Sequence, residues 1–144
     1  MSVPRNVICA ALGQVLETMY YCQASCAGSG PLPSPAIGSR VTISGERRGE
    51  FTVAATLGLA ARLAADFVAA DVADMTPAQS TEVVHELANV ACGATLGALA
   101  PRANVTFSIP ASLDEDEVRR EWMDRFRIDG PDAELALNVV LEAP

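Results

Sequence analysis

The stretch that most constrains this chain is MTPAQSTEVVHELANVACGATLGALAP, residues 75–101. Both of its ends are marked. Thr76 stands at an N-cap position, Pro77 follows at the first helical position, and Gln79 comes three residues after the threonine to complete a capping box. Pro101 closes the run, because a proline cannot continue a helix. About 23 residues lie between these signals, and at ~1.5 Å each they make a rod of ~35 Å, which spans a small domain from end to end.

The two faces of this rod differ. Val83, Val84, Leu87, Ala88, Val90, Ala91, Ala94 and Ala98 recur at spacings of three and four, which predicts one stripe against a core. The opposite face carries Glu82, His85, Glu86, Asn89 and Gly93. Glu82 and Glu86 are one turn apart, and Asn89 follows Glu86 by three, so their side chains emerge next to one another. Glycine inside a helix costs ~1 kcal/mol relative to alanine, so Gly93 asks for a reason. Close approach of a partner, or of another helix at Gly93 and Gly97, would supply one.

The rest of the chain reads as elements arranged around the rod. Residues 5–22 form an amphipathic helix, with Val7, Ala11, Val15, Thr18 and Cys22 on one line and Ile8, Leu12, Leu16 and Met19 beside it. Residues 23–38, rich in Gly, Pro and Ser, predict a mobile loop. SRVTISG and EFTVAA alternate apolar and polar residues about the turn GERRG, a hairpin with Val41 and Ile43 on the same side as Phe51 and Val53. Thr56 can cap an apolar, buried helix over 57–71, and an Asp-rich link leads to the long helix. NVTFSIP is a third strand. Over 111–121, Ser112 and Glu115 could open a short helix, with Val118, Trp122 and Phe126 at four-residue spacing. A strand over 121–128 is the preferred reading, because IDGPDAE then forms a hairpin turn before ELALNVVLE, whose core face is Leu135, Leu137, Val139 and Leu141. The order is α-β-β-α-α-β-β-β. It predicts one α+β domain over 1–144, an α/β sandwich in which long helices cover a mainly antiparallel sheet.

Composition removes several classes of function. The net charge is −8, and all ten basic residues are arginine. No basic stripe exists for nucleic acid or anionic lipid. No apolar run reaches the ~18 residues of a membrane span, and Gln14 and Glu17 interrupt the first helix, so a cytoplasmic protein is expected. Cys9, Cys22, Cys26 and Cys92 match no zinc spacing, and a single histidine is present. Small buried thiols are the expected reading, with a disulfide or metal at Cys22 and Cys26 disfavoured. His85-Glu86-Leu87-Ala88-Asn89 has the outline of the His-Glu-x-x-His zinc helix, but Asn replaces the second ligand and catalytic zinc needs about three protein ligands.

The wet face carries a resemblance. Glu82-Val83-Val84-His85-Glu86-Leu87-Ala88-Asn89, followed by Val-Ala-Cys-Gly93, resembles the Glu-x-x-Asn signature of the CheC/CheX chemotaxis phosphatases. Glu82 stands where that family usually has Asp or Ser. Pro110 ends the next strand with twenty residues between it and Asn89, slightly short of the family spacing. The first helix contains a faint echo, since Val15-Leu16-Glu17-Thr18-Met19-Tyr20 can be laid on Val84-His85-Glu86-Leu87-Ala88-Asn89. Tyr20 in place of Asn implies a single working site, as in the CheX-like members.

The resemblance implies a CheC-like fold, a homodimer and removal of the phosphoryl group from the aspartate of a CheY-like response regulator. It implies that Asn89 orients the attacking water and that Glu86 holds the regulator's lysine. Phosphoryl transfer needs an in-line nucleophile and charge neutralisation, and the Mg²⁺ that supplies the latter would belong to the regulator, with no cofactor of this chain's own. Glu82, His85 and Gly93 are expected on the docking surface. The alternative from another class is a binding or assembly module of the same fold that recognises a regulator or flagellar partner without turnover. The intact Glu86/Asn89 pair speaks against it.

Overall fold

A computed structural model describes residues 5–20, 22–129 and 133–142. The chain runs through α1 (Arg5–Tyr20), β1 (Ala24–Gly30), β2 (Ala36–Gly45), β3 (Gly49–Thr56), α2 (Leu57–Val68), a 3₁₀ turn at Val72–Asp74 and α3 (Pro77–Leu99). It continues with β4 (Val105–Phe107), β5 (Ala111–Ser112), α4 (Glu115–Val118), β6 (Trp122–Ile128) and β7 (Glu134–Leu141). All strand pairs are antiparallel, in the order β1-β6-β7-β3-β2-β4, with β5 also on β2. The predicted α+β sandwich is therefore the observed class.

The period-two residues decide which face of the sheet meets the helices. In β2 and β3, Val41 pairs with Phe51 and Ser39 with Val53. Val41, Ile43, Phe51 and Val53 all enter the main core, as do Leu135, Leu137, Val139 and Leu141 of β7. They pack against Ile8, Leu12, Val15 and Leu16 of α1, Leu59 and Leu63 of α2, and Val83, Val84, Leu87 and Ala91 of α3. The long helix lies between α1 and α2 and over β2 and β3, so it is the centre of the helical layer. A smaller cluster of Ala54, Leu113, Val118, Trp122 and Ala136 fills part of the structure away from that layer. Trp122 anchors it, donating from Nε1 to the Val118 carbonyl at 3.0 Å beneath the Arg120 guanidinium.

Four local readings need correction. Residues 23–38 are not one loop: Ala24–Gly30 is the edge strand β1, and β2 begins at Ala36. ASCAGSG has no apolar alternation, and the strand exists through its ladder with β6. Register shifts there are taken up by Gly28 and Gly30, at φ +88° and +138°. The helix after Thr56 stops at Val68, where Ala69 turns left-handed. Its last residues are outward, with Phe67 65% and Val68 53% exposed. Thr56 occupies the N-cap position, but its hydroxyl is engaged with the Glu134 backbone on β7, donating to the carbonyl and accepting from the N–H, each at 3.3 Å.

The fourth correction concerns the segment after α3. NVTFSIP yields only a three-residue edge strand, and Ile109 beyond it is 88% exposed. The short helix over 115–118 does form, capped by Asp114 with Glu117 at the third position rather than by Ser112 with Glu115. The tip of the turn before β7, residues 130–132, lies outside the described residues, as does the side chain of Tyr20.

Candidate functional site

The long helix begins and ends where its sequence signals stand. Thr76 Oγ1 accepts from the Gln79 N–H at 3.2 Å, and the Thr76 N–H donates to Gln79 Oε1 at 2.9 Å. The Ala100 N–H bonds the Leu96 carbonyl just before Pro101. Ser80, Val83, Val84, Leu87, Ala88, Ala91, Cys92, Thr95 and Leu96 are the buried residues of α3. Val90 and Ala94 are only half-buried and Ala98 is exposed, so the core stripe drifts toward Cys92 and Leu96 relative to the predicted one.

Glu82, Glu86 and Asn89 are exposed, and Gly93 is half-buried. The structure thus brings the carboxylate of Glu86 and the amide of Asn89 onto one outward stripe, a turn apart, on a helix held from both sides. Adding a Cβ at Gly93 or Gly97 would meet nothing within 4 Å. No helix of the described chain closes on these glycines, which removes the intramolecular explanation for them.

His85 is placed differently from its neighbours. Its ring turns toward the sheet, with Nδ1 2.7 Å from Ser39 Oγ on β2 and Nε2 3.3 Å from Ser112 Oγ on β5. A neutral imidazole has one donor and one acceptor, and a hydroxyl can take either role, so both bonds can be made whichever nitrogen carries the proton. Burial pushes the His85 pKa below its ordinary value, against an opposing pull from Glu82. The ring therefore ties α3 to the sheet one residue before Glu86.

Beside the pair lies a groove of about 280 Å³ lined by Ala64, Phe67 and Val68 of α2 and by Gln79, Glu82, Val83 and Glu86 of α3. Sequence reasoning missed this apolar wall. The signal was present in Phe67-Val68-Ala69-Ala70, an apolar run that continues past Asp66 after Leu59, Ala60, Leu63 and Ala64 have already supplied a buried stripe. Ser39 and Ser112 were also missed, and nothing local marks them. Among the described residues no cluster of His, Cys, Asp and Glu could hold a metal ion. No described helix is long and apolar enough to cross a membrane.

Residues 37–128 match the family model described as chemotaxis phosphatase CheX. The chain belongs to the CheX family. The matched span runs from β2 to the end of β6 and contains the whole of α3. Among solved structures, the chemotaxis protein CheX from Vibrio vulnificus is similar, with a TM-score of 0.73 at 16% identity over 96% of this chain and 95% of that one. A CheC-like superfamily protein from Shewanella gives 0.72 at 12% identity, covering 96% of each chain. The structure of a CheX–CheY–BeF₃–Mg²⁺ complex from Borrelia burgdorferi gives 0.70 at 15% identity, covering 96% of this chain and 97% of that one. The sequence matches no curated protein. At these identities the structural likeness establishes the CheX fold, and the family rests on the matched sequence span.

Proposed function

We propose that this CheX-family chain is a phosphatase that removes the phosphoryl group from the aspartate of a CheY-like response regulator. The observation that carries the reading is the Glu86/Asn89 pair, solvent-facing and one turn apart on a helix that both flanking helices and the sheet hold in place. The likeness to a CheX solved together with CheY, BeF₃ and Mg²⁺ supports the choice of partner.

In this reading α3 lies across the regulator's active site. The Asn89 amide accepts from a water and donates elsewhere, which fixes the water in line with the acyl phosphate without taking its proton. Water oxygen bonds to phosphorus, the aspartate carboxylate leaves, and inorganic phosphate is the product. Glu86 takes a charge-assisted bond from the regulator's lysine. Glu82 and Gly93 extend the docking stripe above and below the pair, and His85 serves the same surface by fixing the helix that carries it. Mg²⁺ belongs to the regulator, and this chain contributes no cofactor of its own. The active species is a homodimer in the cytoplasm.

The test is the decay of a phosphorylated CheY-like receiver with this protein or its Asn89→Ala variant. Loss of the orienting amide should slow catalysed decay by about a hundredfold, while receiver binding persists. Binding without any acceleration by the wild-type protein would instead identify a non-catalytic recognition module. Acceleration that survives Asn89→Ala would move the chemistry off this face.

A further inference from the structure

Cys9 on α1 and Cys26 on β1 are 17 residues apart in sequence, and their sulfur atoms are 2.7 Å apart. No disulfide joins them. Small rotations of two side chains would bring the sulfurs to a bonding distance of ~2.05 Å. Cys26 is exposed and Cys9 half-buried, so one thiol meets solvent and the other waits behind it. The other two cysteines are buried. Cys22 lies 3.6 Å from an Arg62 guanidinium nitrogen, and burial pushes the Cys92 thiol up to about 12.

We propose that Cys9 and Cys26 form a reversible dithiol–disulfide site, oxidised by small hydroperoxides. The Cys26 thiolate attacks the peroxide oxygen, giving a sulfenic acid and releasing the hydroxide or alkoxide. The Cys9 thiolate then attacks the sulfenic sulfur and displaces hydroxide. With hydrogen peroxide, two thiols and one peroxide become one disulfide and two waters, the thiol protons leaving in the water. A thiol reductant reverses the bond by exchange. The cross-link acts on the weakest part of the sheet. Among the described residues β1 is an edge strand that pairs only with β6, through an irregular ladder. The disulfide ties it to α1 and hence to the helical layer, which stiffens residues 22–30.

The experiment oxidises the folded full chain with hydrogen peroxide, alkylates the remaining thiols, and maps the peptides without reduction. The expected product is a monomer with a Cys9–Cys26 linked peptide and Cys92 alkylated only after unfolding. Its Tm should exceed that of the reduced protein by about 6–10 °C and return on adding thiol. Cys26→Ser, at an exposed position, should abolish both the link and the shift while its own Tm stays near that of the reduced protein. Three results would overturn the proposal: Cys26 trapped as sulfinic acid with Cys9 still alkylatable, links chiefly to Cys22 or between two chains, or a Tm rise that persists in Cys26→Ser.

Discussion

Replacing His85 by alanine asks how firmly the site helix is fixed to the sheet. The ring makes two bonds of unequal weight. Ser112 is exposed, so water takes the place of the imidazole there at little cost. Ser39 is fully buried at 0% exposure, and the variant strands its hydroxyl. A buried polar group without a partner costs ~1–3 kcal/mol, which places His85→Ala about 2 kcal/mol below wild type. Adding Ser39→Ala removes the stranded group. The double variant should therefore lose less than the sum of the two singles, with a coupling of about 1 kcal/mol. Urea unfolding of the four proteins at neutral pH measures this cycle. Additive losses, or a single-variant loss below ~0.5 kcal/mol, would refute the tie. Acid supplies a second readout. Because burial lowers the His85 pKa in the folded state, the unfolded chain takes up the proton first as pH falls past the ordinary value of 6.5. Wild type should lose stability in that window until the folded-state pKa is passed, and His85→Ala should lack this increment.

Gly93→Ala should raise stability by ~0.5–1 kcal/mol, since its Cβ meets no atom, yet weaken receiver binding; titration of the two proteins with a receiver separates docking from folding. Gly49→Ala drives a Cβ into the Val140 carbonyl oxygen across the β3–β7 ladder and should cost ~1–3 kcal/mol, seen as a lower Tm. Thr76→Ala breaks the capping box at the head of α3 and should cost ~1 kcal/mol, with hydrogen exchange fastest in the first turn.

What the sequence made legible was what short-range chemistry decides. The limits of α3 follow from Thr76, Gln79 and Pro101, which act within a turn of where they stand. The Glu86/Asn89 stripe follows from helical geometry alone, and the β2–β3 hairpin from alternation about a turn. The rest depended on distant partners. ASCAGSG becomes a strand only because β6 offers it a ladder. His85 turns inward because Ser39 and Ser112, 46 and 27 residues away, receive it. Thr56 gives up capping α2 because the β7 backbone at Glu134 competes for its hydroxyl. Phe67 and Val68 face out because Leu59, Ala60, Leu63, Ala64 and Ala65 already fill the buried side of α2.

The strand order also sets a timetable for synthesis. β7, made after every other element of the sheet, lies in its interior between β3 and β6. When the ribosome has completed α3, the helices that cover the β2–β3 hairpin exist, but β3 still shows an open edge and Leu135, Leu137, Val139 and Leu141 of β7 are missing from the core. β1, the first strand made, waits for β6 before it has a strand to pair with. A nascent chain that already carries α3 is therefore not yet folded, and the long-range closures that finish the sheet are the slow kind. Until those last strands are threaded into place, the open edge of β3 is where a chaperone would bind or a second nascent chain would pair wrongly.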